Sequence, residues 1–366
     1  MPERFFPCSS CGATLTFAPG TSSLACGHCG ATNDIPAADE TARAAAVQEL
    51  DYHAHLEHAA DEAPTVERLE VTCDSCGAHS QLGDAATSGH CAFCGVPIVA
   101  QAKSVKLIQP RALLPFALDK RRATAAYEKW LASLWFAPSD LKARAFIDDH
   151  LRGVYLPHWT YDMHATTRYT GQRGEHYWVT ETYTAMVDGR PQVRTRQVRK
   201  TRWYPASGTV YNAFDDVLVP ASNSLPRDRV DSLTPWDLRE LVPFDGAYLA
   251  GFVAESYAVT LPQGFAEATV RVQPTIDNSI LRDIGGDCQI IHSKDSRYDG
   301  ITFKHILLPI WLTAYRYSGK TYRVMINAIT GELSGERPYS ALKITLAVLA
   351  GLLCVGVIVA LVVASR

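Results

Sequence analysis

Apolar positions are spread along this chain in three different rhythms. The simplest is at the C-terminal end. From Ile344 to Ala364 the sequence runs ITLAVLAGLLCVGVIVALVVA, 21 residues without a charge, before Ser365 and Arg366. About 20 apolar residues in a helix cross the ~30 Å hydrocarbon core of a bilayer, and a soluble core helix of this length carries a polar stripe that this run lacks. The pattern predicts one membrane span within residues 341–366. A helical rhythm marks residues 119–133, where Asp119 stands at the capping position, and a second stretch from Ser139-Asp140 to about His150. It returns between Pro262 and Ile284, with a break expected at Pro274 and a stop at Gly285-Gly286. Thr234-Pro235 is expected to open a short helix reaching Leu241.

The third rhythm has a period of two, with β-branched and aromatic residues prominent. It predicts strands at Val154–Asp162, Ala165–Thr170, His176–Val187, Val193–Tyr204 and Thr209–Val219, then at Gln289–His292, Ile301–Tyr317 and Tyr322–Ala328. No regular strand–helix–strand alternation connects them, so the expected class is α+β with antiparallel strands. The 103–340 body is long enough for a substantial core. Within it, Leu156-Pro157-x-Trp159 with Tyr169-x-Gly171 resembles Leu308-Pro309-x-Trp311 with Tyr317-x-Gly319. Two related sheet lobes would produce that pairing, and so would chance in an aromatic-rich sequence.

Cysteine spacing adds chemistry to the N-terminal part. Cys8-x2-Cys11-x14-Cys26-x2-Cys29 recurs as Cys73-x2-Cys76-x14-Cys91-x2-Cys94, and a glycine follows each pair, at Gly12, Gly30, Gly77 and Gly95. Two residues between thiolates let one tight turn offer both sulfurs to a metal, and glycine permits the twist that aims amides at them. The spacing predicts two structural zinc ions in two zinc ribbons, 1–36 and 65–102, separated by a helical spacer over 37–64 bracketed by Pro36 and Pro64. A disulfide framework would also use an even number of cysteines. Met1-Pro2-Glu3-Arg4 leads into the first pair with no apolar leader, which favours a reducing compartment and therefore metal. Each site would be closed by four protein thiolates, leaving no open position for substrate.

Charge narrows the partners. Residues 1–103 hold four Lys/Arg against thirteen Asp/Glu, a net of −9, whereas the remainder holds 31 against 25, a net of +6. Nucleic-acid affinity rests on cations that neutralise phosphates, so the acidic ribbons are expected to bind proteins instead. Lys343 and Arg337 before the span, against Arg366 alone after it, favour a single-pass protein of the cytoplasmic membrane with its N-terminus in the cytosol. Within the body, Arg190, Arg194, Arg196, Arg199, Lys200 and Arg202 form a run without an acid. Strand alternation puts Arg194, Arg196, Lys200 and Arg202 on one face as a candidate contact for anionic lipid or another phosphate, with Arg199 opposite.

Catalytic signals are thin. Gly319-Lys320-Thr321 lacks the glycine that a phosphate loop needs at Ala314, and it falls between strands. His158, Asp162, His164 and His176 are the candidates for a metal or acid–base site. Cys288 has no base nearby in the sequence, which predicts an inert buried thiol. The segments Leu114-Pro115-Phe116, Trp135-Phe136-Ala137-Pro138, Gly153-Val154-Tyr155-Leu156-Pro157, Asp283-Ile284-Gly285-Gly286-Asp287 and Gly335-Glu336-Arg337-Pro338-Tyr339-Ser340, together with the cysteine pairs, resemble a bacterial family of tail-anchored double zinc-ribbon proteins. Members are often labelled primosomal-helicase-like or transcription-factor-type. The resemblance implies a role in envelope stress with phage-shock-type or flotillin-type partners, and it transfers no residue role beyond the zinc cysteines. The expectation is therefore a non-enzymatic, membrane-tethered adaptor that recruits cytosolic or membrane-associated proteins. A membrane-associated nucleic-acid factor and an enzyme using the histidine–aspartate group are the alternatives.

Overall fold

A computed structural model describes residues 6–58, 65–73, 78–81, 88–91, 93, 97–99, 103–141, 151–187 and 190–364. The first cysteine module is a three-stranded antiparallel sheet of β1 (Leu15–Phe17), β2 (Ser23–Cys26) and β3 (Thr32–Asp34). Phe17 carries it onto the body. Its ring meets Tyr248 edge-on at 5.2 Å, and its amide donates to the Ala250 carbonyl at 2.9 Å. The expected single spacer helix is instead α1 (Glu40–Val47), a two-residue strand β4 (Leu50–Asp51) and α2 (Tyr52–His58). Tertiary contact overrides helical propensity here, because β4 pairs with a strand of the body and Tyr52 is buried against Tyr161 and Phe265.

The second module is built from β5 (Thr65–Thr72), β6 (His79–Gln81), β7 (Ser88–His90), β8 (Pro97–Val99) and β9 (Lys103–Ile108). In the body, β10 (Ala112–Leu113) precedes α3 (Lys120–Ser133), which starts where expected because the Asp119 carboxylate accepts the Arg122 amide at 2.8 Å. The helix expected to reach His150 lies outside the described residues.

Three very long strands dominate the rest. The segments expected as separate strands fuse into β11 (Arg152–Val187) and β12 (Arg190–Pro220), and later into β15 (Cys288–Tyr317). Between them come α4 (Arg227–Asp231), β13 (Val242–Pro243), β14 (Val253–Ala254), α5 (Leu261–Arg271) and α6 (Gln273–Ile284). The helix break falls at Val272, just before Pro274, as the proline predicts. The expected Pro235–Leu241 helix is only a 3₁₀ turn at Leu238–Glu240.

Some glycines and prolines inside these strands have a local reason. A Cβ at Gly171 would come within 2.3 Å of the Ile290 carbonyl oxygen, so glycine there serves the close approach of β15. Pro205 sits in β12 where it is the edge strand of the order β12–β11–β15, and Pro191 lies farther along β12, beyond the residues of β11 that pair with β15. Central stretches of β11 and β15 are buried on both faces, which gives near-continuous apolar runs.

The two Leu-Pro-x-Trp motifs do not mark separate lobes. They lie side by side on antiparallel strands, with Leu156 opposite Leu308. The chain continues through β16 (Lys320–Asn327) and β17 (Leu333–Gly335) into α7 (Ala341–Ala364), an apolar helix with no buried residue. The fold is thus mixed α+β with largely antiparallel sheets, a four-cysteine cluster near one terminus and one long apolar helix at the other.

Candidate metal centre

In the first module two tight turns aim four sulfurs at one point. The Cys8 amide donates to the Ala13 carbonyl at 2.7 Å and the Gly12 amide to the Cys8 carbonyl at 2.8 Å. The second turn repeats this, with Cys26 to Ala31 at 2.8 Å and Gly30 to Cys26 at 3.0 Å. Gly12 and Gly30 take φ of 73° and 74°, left-handed values that a side chain would oppose. Cys8 Sγ lies 3.6 Å from Cys29 Sγ, and Cys11 Sγ lies 3.6 Å from Cys26 Sγ. A tetrahedral ion with ~2.3 Å bonds to sulfur has sulfur–sulfur edges of ~3.8 Å, whereas a disulfide needs ~2.05 Å. The cluster has the dimensions of a metal site.

Its electrostatics agree. Amides of Cys29 and His28 pull the Cys26 thiol down to about 6, and the Ser10 amide lowers Cys8. Cys11 accepts the Ala13 amide, which favours its thiolate, yet the neighbouring Cys29 sulfur and burial push it up to about 12. Four adjacent thiols cannot all ionise without a cation between them. The group could therefore hold a metal ion.

The second module shows half of the same geometry. Cys73 and Cys91 are buried, as are Cys8 and Cys26 at the equivalent positions. The Cys73 amide donates to the Ala78 carbonyl at 2.9 Å, as the Cys8 amide does to Ala13 and the Cys26 amide to Ala31. Cys76 and Cys94 lie outside the described residues.

Sequence reasoning missed a second polar cluster. Opposite Asp162, β12 bulges: Tyr161 faces Val217 and Met163 faces Phe214, so Asp215 and Asp216 share the space of one partner. Glu49, just before β4, joins them, and oxygens of the four residues lie within 4.8 Å of one another. Lys304 supplies a cation, with Nζ 2.9 Å from both Glu49 Oε1 and Asp216 Oδ1 and the residue only 6% exposed. Burial first and the Glu49 carboxylate second push Asp162 up to about 8. Burial opposes charge on Glu49 too, but hydrogen bonds from Asp162, Thr302 and Lys304 outweigh it and hold its carboxyl below the usual range. The cluster clamps the inter-module segment to the sheet. No local motif announced it, because Glu49 and Lys304 are 255 residues apart.

The histidine group does not assemble. His158, Asp162, His164 and His176 lie along a single strand, and 18 residues of strand separate His158 from His176 by ~60 Å of contour. His158 is buried, with Nδ1 3.1 Å from the Leu156 carbonyl oxygen. Burial lowers it to about 4. Cys288, expected to be buried and remote from any base, is half-buried with Sγ 3.5 Å from His176 Nε2.

The basic residues fall as alternation predicts. Beyond Gly174, β11 and β12 continue as a two-stranded arm. On one face Arg202, Lys200, Arg196 and Arg194 stand opposite Glu175, Tyr177, Glu181 and Tyr183. Glu181 pairs with Lys200 at 3.0 Å and Arg196 at 3.2 Å, while the Arg202 guanidinium lies 5.0 Å from the Tyr177 ring centre. Arg199, opposite Trp178, is on the other face.

The chain is similar to the uncharacterized protein YdjG of Bacillus subtilis (strain 168), 25% identical over 347 residues that take in 93% of this chain and 91% of that protein. No family model and no solved structure matches it.

Proposed function

We propose that the protein is a membrane-tethered, zinc-binding adaptor. The observation that carries this reading is α7: 24 residues with a mean hydropathy of 3.1 in its most apolar window, unburied throughout yet bonded to the folded body at its first turn. A core helix would be buried, so the lipid bilayer is the solvent that suits it. The four-thiolate group suits zinc and, being closed by protein ligands, suits a structural ion. The repeated hydrogen bond from the Cys73 amide to the Ala78 carbonyl supports a second such ion. The acidic modules then present protein-binding surfaces on the cytosolic side, in line with the envelope-stress role that the family resemblance implies.

Removing residues 341–366 should move the protein from the membrane to the soluble fraction, and a reporter at the N-terminus should read as cytosolic. A truncated chain that stays in the membrane fraction would defeat the tether. The adaptor role is tested in cells with a photo-crosslinking residue at His28, which should capture one recurrent partner and lose it when Cys26→Ser disrupts the turn.

A second reading rests on the arm. Its row of cations interleaved with tyrosines suits a line of phosphates. Measured along β11, about 80 Å of strand separates the arm's Tyr177 from Arg152, at the end of the sheet near α7. The row therefore reaches headgroups only if the sheet lies along the bilayer. Charge reversal at Arg194, Arg196, Lys200 and Arg202 should weaken attachment of the nanodisc-embedded chain to anionic vesicles and leave zinc content unchanged. Steeply salt-dependent retention of DNA, abolished by the same reversal, would favour the nucleic-acid alternative instead.

A further inference from the structure

The turn after α3 exposes aromatic rings beside the start of α7. Leu134 and Ala137 are buried at 6% and 5%, which holds the turn to the body and drives the two residues between them outward. Trp135 is 82% exposed and Phe136 40%, and Tyr339 just before α7 is 59% exposed. Large apolar rings facing water at one place need a reason.

That turn is fastened to the helix. The Ser340 amide donates to the Phe136 carbonyl at 2.8 Å, and Lys343 Nζ donates to the carbonyls of Ala137 at 2.7 Å and Trp135 at 3.3 Å. The Trp135 backbone is therefore held at the level of the first helical turn. Arg337 adds a second cation, with its guanidinium 5.2 Å from the Tyr339 ring centre.

Helix length sets the depth of this group. The 24 residues of α7 span ~36 Å at 1.5 Å per residue, against ~30 Å of hydrocarbon. About four residues of excess place Ala341 to Ile344 among the headgroups, because Lys343 at one end resists burial. Tryptophan and tyrosine favour that layer, and lysine and arginine favour the phosphates just above it.

We infer that Trp135, Phe136 and Tyr339, with Arg337 and Lys343, form a collar that docks the body on the headgroup–acyl boundary of the bilayer crossed by α7. The inference rests on the tether reading and deepens it. The hydrogen bonds at its first turn fix α7 to the body, and the collar gives that body, and with it the arm, one orientation to the membrane.

The test uses the full chain in vesicles of phosphatidylcholine and phosphatidylglycerol. A fluorescent amino acid replaces position 135, 339, 352 or 211, one at a time. Lipids brominated near the top or the end of the acyl chain report depth, and iodide reports water. Fluorescence at 135 and 339 should be lost to shallow bromines, at 352 to deep bromines, and at 211, on exposed β12, only to iodide. If 352 responds to deep bromines while 135 and 339 behave like 211, the collar is wrong and the tether stands. If 352 responds to no bromine, the tether fails and the collar falls with it. Shielding of 135 from both iodide and bromine would mean a protein surface covers it, which also overturns the inference.

Discussion

The two cysteine modules share one spacing and are seated differently. In the second turn of each, the residue before the closing cysteine is His28 in one and Phe93 in the other. His28 is exposed together with Cys11, Gly12, Cys29 and Gly30. Phe93 is wholly buried, in a cluster that also holds Leu156, Ile310, Leu312 and Met325 of the central strands. The first module packs on the body through Phe17, Leu15 and Leu24, which share a core cluster with Phe116 and Tyr155, and leaves residues 27–30 of its second turn exposed. In the second, Cys91 and Phe93 are both buried in the core. The same cysteine spacing thus carries an exposed His28 in one module and a core Phe93 in the other.

The largest expected difference is in how damage spreads. Structural zinc contributes ~10–16 kcal/mol of binding to small ribbons, so Cys26→Ser and Cys91→Ser should each cost about one ion. Hydrogen exchange should rise only in the first module after Cys26→Ser. After Cys91→Ser it should rise also in the central strands around Leu156 and Ile310. Equal spread from both would erase the contrast. Next in size, Phe93→Ala should destabilise the chain by ~3–5 kcal/mol, as expected for a buried phenylalanine, whereas His28→Ala should stay within ~0.5 kcal/mol. Denaturant midpoints of the full chain would measure both.

A smaller effect concerns the segment between the modules, clamped by Glu49 to the Asp162 cluster. Asp162 titrates at about 8 in the folded chain and near ~3.9 when unfolded. Between those values the folded chain keeps a proton that the unfolded chain has released, so stability should fall as pH rises through that window. Asp162→Asn should flatten that fall in pH-dependent melting. An unchanged slope would mean that other groups, and not this clamp, set it.

Local signals were legible wherever chemistry or geometry is local. Gly12 and Gly30 mark turns that need left-handed backbone, Asp119 caps the helix beside it, and Pro274 stands in the first turn of α6, just after the break at Val272. The uncharged run after Lys343 reads as a long apolar helix from its own composition. Alternation placed Arg194, Arg196, Lys200 and Arg202 on one face, with Arg199 opposite, because a strand's two-residue period needs no partner to define it.

Everything that depended on a distant partner had to wait for the folded chain. The strands expected to end at Thr170 and Tyr204 run on, through Gly171 where β15 presses close and through Pro205 where β12 is the edge strand. The spacer's Leu50 and Asp51 became a strand only by pairing with Phe303 and Thr302. Cys288 met His176 across 112 residues. The cysteine spacing by itself marked the four-sulfur group of Cys8, Cys11, Cys26 and Cys29, since both cysteines of each pair lie within four residues. Whether the residue inside a pair is exposed, as His28 is, or buried, as Phe93 is, was decided by the tertiary structure alone, because burial depends on what the rest of the chain brings to the other side.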